Sequence, residues 1–250
     1  MFSSSSAFIE KKAESLTYTV KVSKRAKNAR LKMMPHAGLV VVVPSGFTQR
    51  KIDSLLQQHE AWIRKAARKI EAHRPEPLPM EENGLPSAIH LRYLSEEWSV
   101  SYHTRSSRSV RADHEGMALH VPADPSDREQ CRKLLLSWLR LRAGKVLLPR
   151  LGEVAEAHGF GFAKAGVRLQ HSRWGSCSSR GRITLNTKLL FLPDYLVYYI
   201  MVHELCHTVH MNHSRAFWEL VKRHDPLCRA SNREMNTAWK YVPEWASVQP

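Results

Sequence analysis

The chain has few cysteines and no long hydrophobic segment. Its 250 residues include four cysteines, which form neither a Cys-x-x-Cys pair nor a dense disulfide framework. This usage is typical of a reducing compartment, and we expect free thiols. The longest apolar run, Tyr195 to Val202, is too short to cross a bilayer, and the first residues lack the apolar segment of a signal peptide. We therefore expect a cytoplasmic protein without a membrane partner.

Acidic residues are scarce relative to basic ones. The chain has 23 Asp and Glu against 38 Lys and Arg, a formal net charge of +15. A field of this sign attracts polyanions, and the segment from Lys21 to Lys32 concentrates part of the charge near the N-terminus. Nucleic acid or a nucleotide is therefore a candidate partner through a basic surface. The other basic residues are spread over the chain without a recognised nucleic-acid motif, and solvated basic faces explain the same composition.

The first part of the chain has strand patterns around one helical stretch. Residues 1–15 form a polar leader, which we expect to be flexible. Strands are predicted at Tyr18 to Val22 and Leu39 to Val43, with a turn between them at His36-Ala37-Gly38. Apolar side chains recur at helical spacing from Thr48 to Ala72, which is typical of a helix packed on a core.

A proline-rich stretch follows, and then strand signals resume. Residues 73–87 are predicted to be a linker or a long exposed loop. A turn signal at His114-Glu115-Gly116 indicates a hairpin. Four further strands are predicted in this region, at Ile89 to Tyr93, Trp98 to Tyr102, Ser109 to Ala112 and Ala118 to Val121.

From Ser126 onward the pattern is mainly helical. Ser126 or Asp127 can cap a long helix, which Pro149 is expected to kink before it continues to Ala157. A second start signal at Asp194, directly after a proline, precedes apolar residues at helical spacing. This second helix would be largely buried.

Three polar residues, His203, Glu204 and His207, interrupt that buried helix. They lie within the five-residue sequence HELCH. Residues four apart lie on one helix face, so His203 and His207 can offer two imidazoles to one ion while Glu204 points toward a bound water as general base. Ionisable groups in an apolar helix cost free energy unless something pairs with them, and a metal would supply that pairing. Chance alone gives the motif in such a chain with a probability of roughly 5%, so a third ligand is needed to support it.

Two histidines compete for the third ligand position. On a straight helix His203 and His210 are about 10.5 Å apart along the axis, too far for both to bind one ion. His213 is the better candidate. Asn212 can end the helix in a left-handed conformation, and Ser214 can cap a new helix, so that the chain turns and brings His213 over the metal. His210 is then interpreted as solvated or as a partner of the ligands.

The segment from Gln170 to Asn186 predicts a hairpin at a sheet edge. Glycines bracket a serine-rich turn, and Arg182 to Asn186 alternates like a strand. In a protease such an edge could accept an extended peptide by strand addition. Within the segment, His171 is a candidate for orienting substrate or stabilising an oxyanion, or has an ordinary polar role. Trp174 is interpreted as a core residue, and the role of Arg173 is left open.

The sequence HELCHTVHMNHSRAFW, preceded by QHSRWGSCSSRGRITLN, resembles the YgjP-like metal-dependent hydrolases, which are relatives of the SprT-like and WLM metallopeptidases. The resemblance covers most of the chain. It implies a zinc site of His203, His207 and His213 with Glu204 catalytic, and it implies that the RWGSCS stretch lies close to that site. Cys206 is a departure, because many relatives have alanine there, and a thiol in the ligand helix could complicate metal or redox behaviour.

The expected architecture is α+β. A flexible leader at residues 1–15 precedes a β-rich N-terminal domain at residues 16–125, which includes one helix and the proline-rich loop at 73–87. Residues 126–250 are expected to form a zincin-like metallopeptidase domain, mainly helical, with a small sheet and the helix that carries the HExxH motif.

The expected function is hydrolysis of peptide bonds with Zn²⁺ as cofactor and Glu204 as general base for a metal-activated water. His171 and Arg173 are candidate substrate-binding residues, and a peptide or protein is the expected substrate. One alternative is a metal-dependent nucleotide pyrophosphatase acting on UTP-type substrates, although such enzymes more often use carboxylates with Mg²⁺ or Mn²⁺. Another is a nucleic-acid-associated protein with a structural zinc, which would need a fourth cysteine or histidine ligand.

Overall fold

The computed structural model describes residues 8–13, 16–34, 38–71, 84–104 and 109–247. The chain combines small β-sheets with α-helices, and the predicted α+β class is confirmed. Contacts within it define two units, Met1–Pro75 and Glu76–Pro250. The predicted boundary between residues 125 and 126 falls inside the second unit, because the strands before it and the long helix after it share one core. As a limit between independently folding domains, that boundary stays a prediction.

The first unit is a four-stranded sheet with two helices. Its strands are β1 (Phe8–Ala13), β2 (Leu16–Val22), β3 (Arg30–Met34) and β4 (Gly38–Val43), and its helices are α1 (Gln49–Gln58) and α2 (Glu60–Glu71). The spatial order is β1-β2-β4-β3, in which β2 and β4 are parallel and the other neighbours are antiparallel. Alternate residues of β2 and β4 are buried with Ile52, Leu56 and Ile63 of the two helices, which makes one face of the sheet the core.

The strands predicted in β2 and β4 are confirmed, but two further strands flank them. β1 lies in the stretch expected to be a flexible leader, where its backbone pairs with β2 through six residue pairs. β3 pairs antiparallel with β4 and fills the sheet edge. The predicted helix is divided at His59 into α1 and α2. Of the predicted turn, His36 and Ala37 lie outside the described residues.

The second unit begins with another four-stranded sheet. Its strands are β5 (Ala88–Leu91), β6 (Glu96–Tyr102), β7 (Arg111–Asp113) and β8 (Ala118–Val121), in the order β5-β6-β8-β7. The predicted hairpin turn joins β7 to β8. β5 ends two residues early because Arg92–Leu94 form a 3₁₀ turn. Most of the predicted proline-rich loop, residues 73–83, lies outside the described part of the chain.

The long helix α3 (Arg128–His158) supports the rest of the second unit. It begins as predicted at Asp127, whose Oδ1 accepts a hydrogen bond from the Gln130 backbone N–H at 3.0 Å. The helix continues through Pro149, and Gly159, with φ of 70°, ends it in the left-handed conformation. Its residues at 135, 139, 143, 147 and 151 are fully buried, a stripe with a spacing of four that faces the core.

A three-stranded sheet follows α3. Its strands are β9 (Lys164–Arg168), β10 (Gly175–Cys177) and β11 (Arg182–Asn186). The order is β10-β11-β9, so β10 is an edge strand, and β10 and β11 form an antiparallel hairpin. The hairpin predicted at a sheet edge is therefore confirmed.

Four helices complete the second unit. They are α4 (Asp194–Cys206), α5 (Arg215–His224), α6 (Cys228–Met235) and α7 (Glu244–Ser247), with 3₁₀ turns at Thr187–Phe191 and Ala238–Tyr241. As predicted, α4 is largely buried: nine of its 13 residues are buried. The four cysteines of the chain are free thiols. Within the described residues, no helix combines the length and apolar character needed to cross a membrane.

The end of α4 differs from the prediction. The helix ends at Cys206, where the N–H groups of Thr208 and Val209 bond to the carbonyls three residues earlier and tighten the last turn. Asn212 was expected in a left-handed conformation, and this is wrong, since among the described residues only Ser95 and Met117 have a positive φ without being glycine. The helix had already ended before Asn212.

We predict that Ser214→Ala destabilises the second unit by about 1 kcal/mol. Ser214 Oγ accepts a hydrogen bond from the Phe217 backbone N–H at 3.3 Å, and its loss leaves an N-terminal donor of α5 without this partner. Urea unfolding of the metal-free protein, followed by tryptophan fluorescence, measures the change. Ser179→Ala, in the exposed turn between β10 and β11, is the control and should change the free energy of unfolding by less than about 0.5 kcal/mol. Equal stability of Ser214→Ala and wild type would contradict the capping role.

Candidate metal centre

Three histidine rings converge at the end of α4. The Nε2 atom of His203 lies 3.2 Å from Nε2 of His207 and 3.1 Å from Nε2 of His213. Bonds of about 2.1 Å to one tetrahedral ion would separate such nitrogens by roughly 3.4 Å. Among the described residues, these three histidines form a group that could hold one metal ion, because their ligand atoms all lie within 4.8 Å of one another. The distances between the nitrogens are therefore close to those of a tetrahedral metal site.

A short loop after α4 brings the third histidine to the other two. The His210 backbone N–H bonds to the Cys206 carbonyl at 2.9 Å, which turns the chain back over the helix end. Nδ1 of His207 then donates to the His210 carbonyl oxygen at 3.0 Å. Because Nδ1 carries the proton, Nε2 of His207 keeps its lone pair for a ligand bond. His210 thus contacts the group through its backbone, and its side chain does not join the group.

Phe217 of α5 packs against all three rings. Phe217 is fully buried, and its ring stacks on His207 with centroids 4.4 Å apart. It also contacts the rings of His203 and His213, at 5.0 and 4.9 Å. Burial, and then the neighbouring histidines, lower the pKa of His203 to about 3, and burial also lowers the pKa of His207. Both rings are therefore neutral at pH 7, which is the form that binds a metal.

Tyr199 and Asn232 support the group from its other side. The hydroxyl of Tyr199 donates to Asn232 Oδ1 at 3.0 Å and lies 3.5 Å from Nδ1 of His203. Tyr199 is almost fully buried, and burial raises the pKa of its hydroxyl, which stays protonated. The sequence contained one signal for Tyr199, its position four residues before His203 on the same helix face. Asn232 comes from α6 and had no local signal.

Glu204 lies beside the histidines with its carboxyl group buried. The residue is 5% exposed, and its Oε2 atom has no hydrogen-bond partner among the described residues. Burial raises the pKa of Glu204 to about 8, while the charge of Arg173 lowers it. A buried carboxyl oxygen without a partner costs free energy, so this one is a candidate for contact with a ligand or water.

Strand β10 packs directly against Glu204. A Cβ atom added to Gly175 would lie 2.5 Å from Oε1 and 2.7 Å from Cγ of Glu204, closer than real Cβ contacts allow. Only glycine leaves room for the carboxyl group at this position. The sequence marked this glycine as the boundary of a turn, but the contact joins a strand to a helix and has no local pattern.

The segment before β10 is held by one buried asparagine. Nδ2 of Asn186 donates to the carbonyl oxygens of Gln170 and Arg173, at 2.9 and 2.7 Å. Trp174 is 9% exposed and stacks on Trp239 at 4.1 Å, which agrees with its interpretation as a core residue. These contacts fix the backbone that leads to Gly175.

The remaining candidates of this region, Arg173, His171 and Cys206, do not belong to the histidine group. Arg173 is exposed and acts on Glu204 through its charge. His171 is exposed in the loop between β9 and β10 and does not belong to the histidine group. Cys206 is fully buried, and burial raises its pKa to about 12, so its thiol stays neutral and packs as a small apolar side chain.

Comparison with known proteins gives a family and two partial structural similarities. The family model described as "YgjP-like, metallopeptidase domain" matches residues 27–238. The metallopeptidase zymogen abylysin of Pyrococcus abyssi is 26% identical over 36% of this chain and 90% of its own, with a TM-score of 0.33. The zymogen jannalysin of Methanocaldococcus jannaschii is 16% identical over 36% of this chain and 93% of its own, with a TM-score of 0.32. No curated protein matches the chain.

The family match begins in the first unit, runs through β10 and α4, and ends beyond α6. It includes all three histidines of the group, Glu204 and Gly175. Since it covers far more than half of the chain, the protein belongs to the YgjP-like family and contains its metallopeptidase domain.

Proposed function

We propose that the protein is a zinc-dependent peptidase in which His203, His207 and His213 hold the ion and Glu204 is the general base. The observation that carries the proposal is the convergence of three Nε2 atoms, two of them 3.1 and 3.2 Å from the third, next to a buried carboxyl group. Membership of a metallopeptidase family supports the reaction class.

The donor set favours zinc in an open, catalytic site. Neutral imidazoles suit zinc, whereas Mg²⁺ and Ca²⁺ take oxygen ligands, and no carboxylate belongs to the group within the described residues. Structural zinc sites close the fourth position with cysteine or histidine. In the part of the chain that the structure describes, neither Cys206 nor His210 joins the three histidines. Three ligands with a free fourth position are the arrangement of a hydrolase, so the structural-zinc alternative has less support.

The burial of Glu204 next to the ligand His203 in the chain supports a role as general base. Zinc held by His203, His207 and His213 would lower the pKa of a coordinated water toward about 7 and would polarise the scissile carbonyl. Glu204 takes a proton from the attacking water and returns it to the leaving amine. Burial raises the pKa of Glu204, which favours the protonated form. The positive charge of an ion held by the three neutral rings would lower this pKa again and keep the carboxylate available as a base.

The free edge of β10 favours an extended peptide as substrate. Trp174 O and Ser178 N bond to β11, and bonding groups alternate along an antiparallel pair. The backbone groups of Gly175 and Cys177 therefore point away from β11, to the side where no described strand pairs with β10. A peptide added as the next strand would bond there, with its backbone held beside Glu204. A nucleotide would not use this edge, and no observation favours the pyrophosphatase alternative.

We predict that the purified protein holds about one zinc ion per chain, as stoichiometric binding at one site requires. His213→Ala should lose it, because two imidazoles do not retain the ion. His210→Ala is the matched control and should keep it, because only the backbone of His210 contacts the group. Metal content by mass spectrometry on the three proteins decides the point. Zinc retained by His213→Ala, or lost equally by His210→Ala, would contradict the assigned ligand set.

We predict that Glu204→Gln keeps the zinc but loses casein hydrolysis by about 10²- to 10⁴-fold, the contribution of a general base. Glutamine has the shape of glutamate and does not accept the proton. UTP hydrolysis should be assayed on the same preparations. Full peptidase activity of Glu204→Gln would show that Glu204 is not the general base. Hydrolysis of UTP by the wild type without cleavage of casein would favour the pyrophosphatase over the peptidase.

We predict that Gly175→Ala lowers kcat for peptide hydrolysis while zinc content is unchanged. The added Cβ would meet Glu204 at 2.5 Å and displace its carboxyl group. Gly166→Ala is the control, because a Cβ on this glycine of β9 would meet nothing within 4 Å. Steady-state kinetics of the two variants tests the contact. An unchanged kcat for Gly175→Ala would show that Glu204 does not need this space.

A further inference from the structure

A second pair of histidine rings converges where α3 and α5 end. His158 is the last residue of α3, and His224 is the last residue of α5. Their Nδ1 atoms lie 3.0 Å apart, and their ring centroids lie 4.8 Å apart with an angle of 78° between the ring planes. Both residues are half-buried, and neither belongs to the group of three histidines at the end of α4.

The geometry of this pair matches that of two rings in the candidate metal centre. The Nε2 atoms of His203 and His207 lie 3.2 Å apart, with ring centroids at 4.9 Å and an angle of 80° between the planes. Each pair thus brings two ring nitrogens together edge to edge at nearly the same separation and tilt. The nitrogens of His158 and His224 are placed like two ligands of one ion.

Tyr198 determines which nitrogen of His158 is free to bind. Its hydroxyl oxygen lies 2.8 Å from Nε2 of His158 and 3.1 Å from the backbone carbonyl oxygen of His224. Because a carbonyl oxygen only accepts, Tyr198 donates its proton to His224 and accepts one from Nε2 of His158. Nδ1 of His158 therefore keeps its lone pair, directed toward His224. A hydrogen-bond partner on the other ring nitrogen is the usual companion of a histidine that binds metal.

Without an ion, Nδ1 of His224 donates a hydrogen bond to Nδ1 of His158. An ion would replace this bond, and the proton of His224 would move to its Nε2 atom, which is the other tautomer of the neutral ring.

The surroundings of the pair leave room for further ligands from solvent. The ring of Phe160 contacts His224 on one side, with centroids 4.8 Å apart. Neighbouring charges of both signs are present, since exposed Arg223 precedes His224 and buried Asp225 follows it. No third side chain of the described residues completes a group of metal ligands here. Water would supply the remaining ligands, as the partial exposure of both rings allows.

We propose that His158 and His224 form a second metal site, which binds a divalent ion of the nickel or copper type through the two Nδ1 atoms. Bonds of about 2.1 Å at right angles to each other separate two nitrogens by roughly 3.0 Å. Right angles between imidazole ligands are typical of Ni²⁺ and Cu²⁺, whereas Mg²⁺ and Ca²⁺ take oxygen ligands. The ion would join the C-terminal ends of α3 and α5, and α5 also carries Phe217, which packs on the first histidine group.

Nickel binding to the purified protein tests this site, with Ni²⁺ alone as the probe. Two histidines hold an ion less tightly than three, so the pair is expected to lose its ion during purification and to take one up from solution. After equilibrium dialysis against Ni²⁺, mass spectrometry should find one more nickel ion per chain in wild type than in His224→Gln. An excess of Mg²⁺ should not compete. This difference does not depend on the peptidase proposal, because the metal content of the other three histidines contributes equally to both proteins.

His90→Gln is the matched control, because His90 is a half-buried histidine of β5 that belongs to neither group. It should bind nickel like wild type, whereas the apparent Kd of His224→Gln should rise by at least about tenfold. His158→Gln tests the same site from α3, and circular dichroism verifies that each variant folds. Nickel should also raise the thermal unfolding midpoint of wild type and His90→Gln more than that of the two site variants.

Two results would overturn the proposal. Equal nickel uptake by wild type, His158→Gln and His224→Gln would mean that other histidines bind the ion. No uptake by wild type would mean that the two Nδ1 atoms share a hydrogen bond and nothing more.

Discussion

The hydrogen bond from Nδ1 of His207 to the carbonyl oxygen of His210 is the interaction on which the arrangement of the three histidines depends. It selects the tautomer that leaves Nε2 of His207 free, and it holds the loop after α4 in a tight turn. The same turn brings His213 within 3.1 Å of His203. Phe217 then fills the space behind the three rings. One bond between a side chain and the backbone thus couples the end of the helix, the orientation of the His207 ring and the number of histidines that converge.

Local signals in the sequence predicted much of this site. The spacing of four in HELCH, the cap at Ser214 and the glycine-bracketed hairpin are properties of a few neighbouring residues, and the structure has the helix, the cap and the hairpin. The expected left-handed Asn212 is absent because hydrogen bonds close the helix end earlier. Strand β3 was not predicted because it is short and contains two basic residues, so that few apolar residues alternate along it. Contacts between distant elements, such as Gly175 with Glu204, leave no local pattern at all.

The candidate metal centre is buried on one side and exposed on the other. His207 and the carboxyl group of Glu204 are buried beside the apolar helix α4, which keeps them in fixed positions, whereas His213 is exposed. A site of this kind is sensitive to the loss of a single atom contact.

The exposed side chains of Val209 and Met211 have a consequence for how such a protein can diverge. Both belong to the loop between α4 and His213, and they are 58% and 50% exposed although they are apolar. The histidines on either side are held by α4 and by the cap of α5, so a different side chain at these two positions need not disturb the rings. Variation in this loop can therefore change the protein surface next to the histidine group while the elements that hold the rings stay the same.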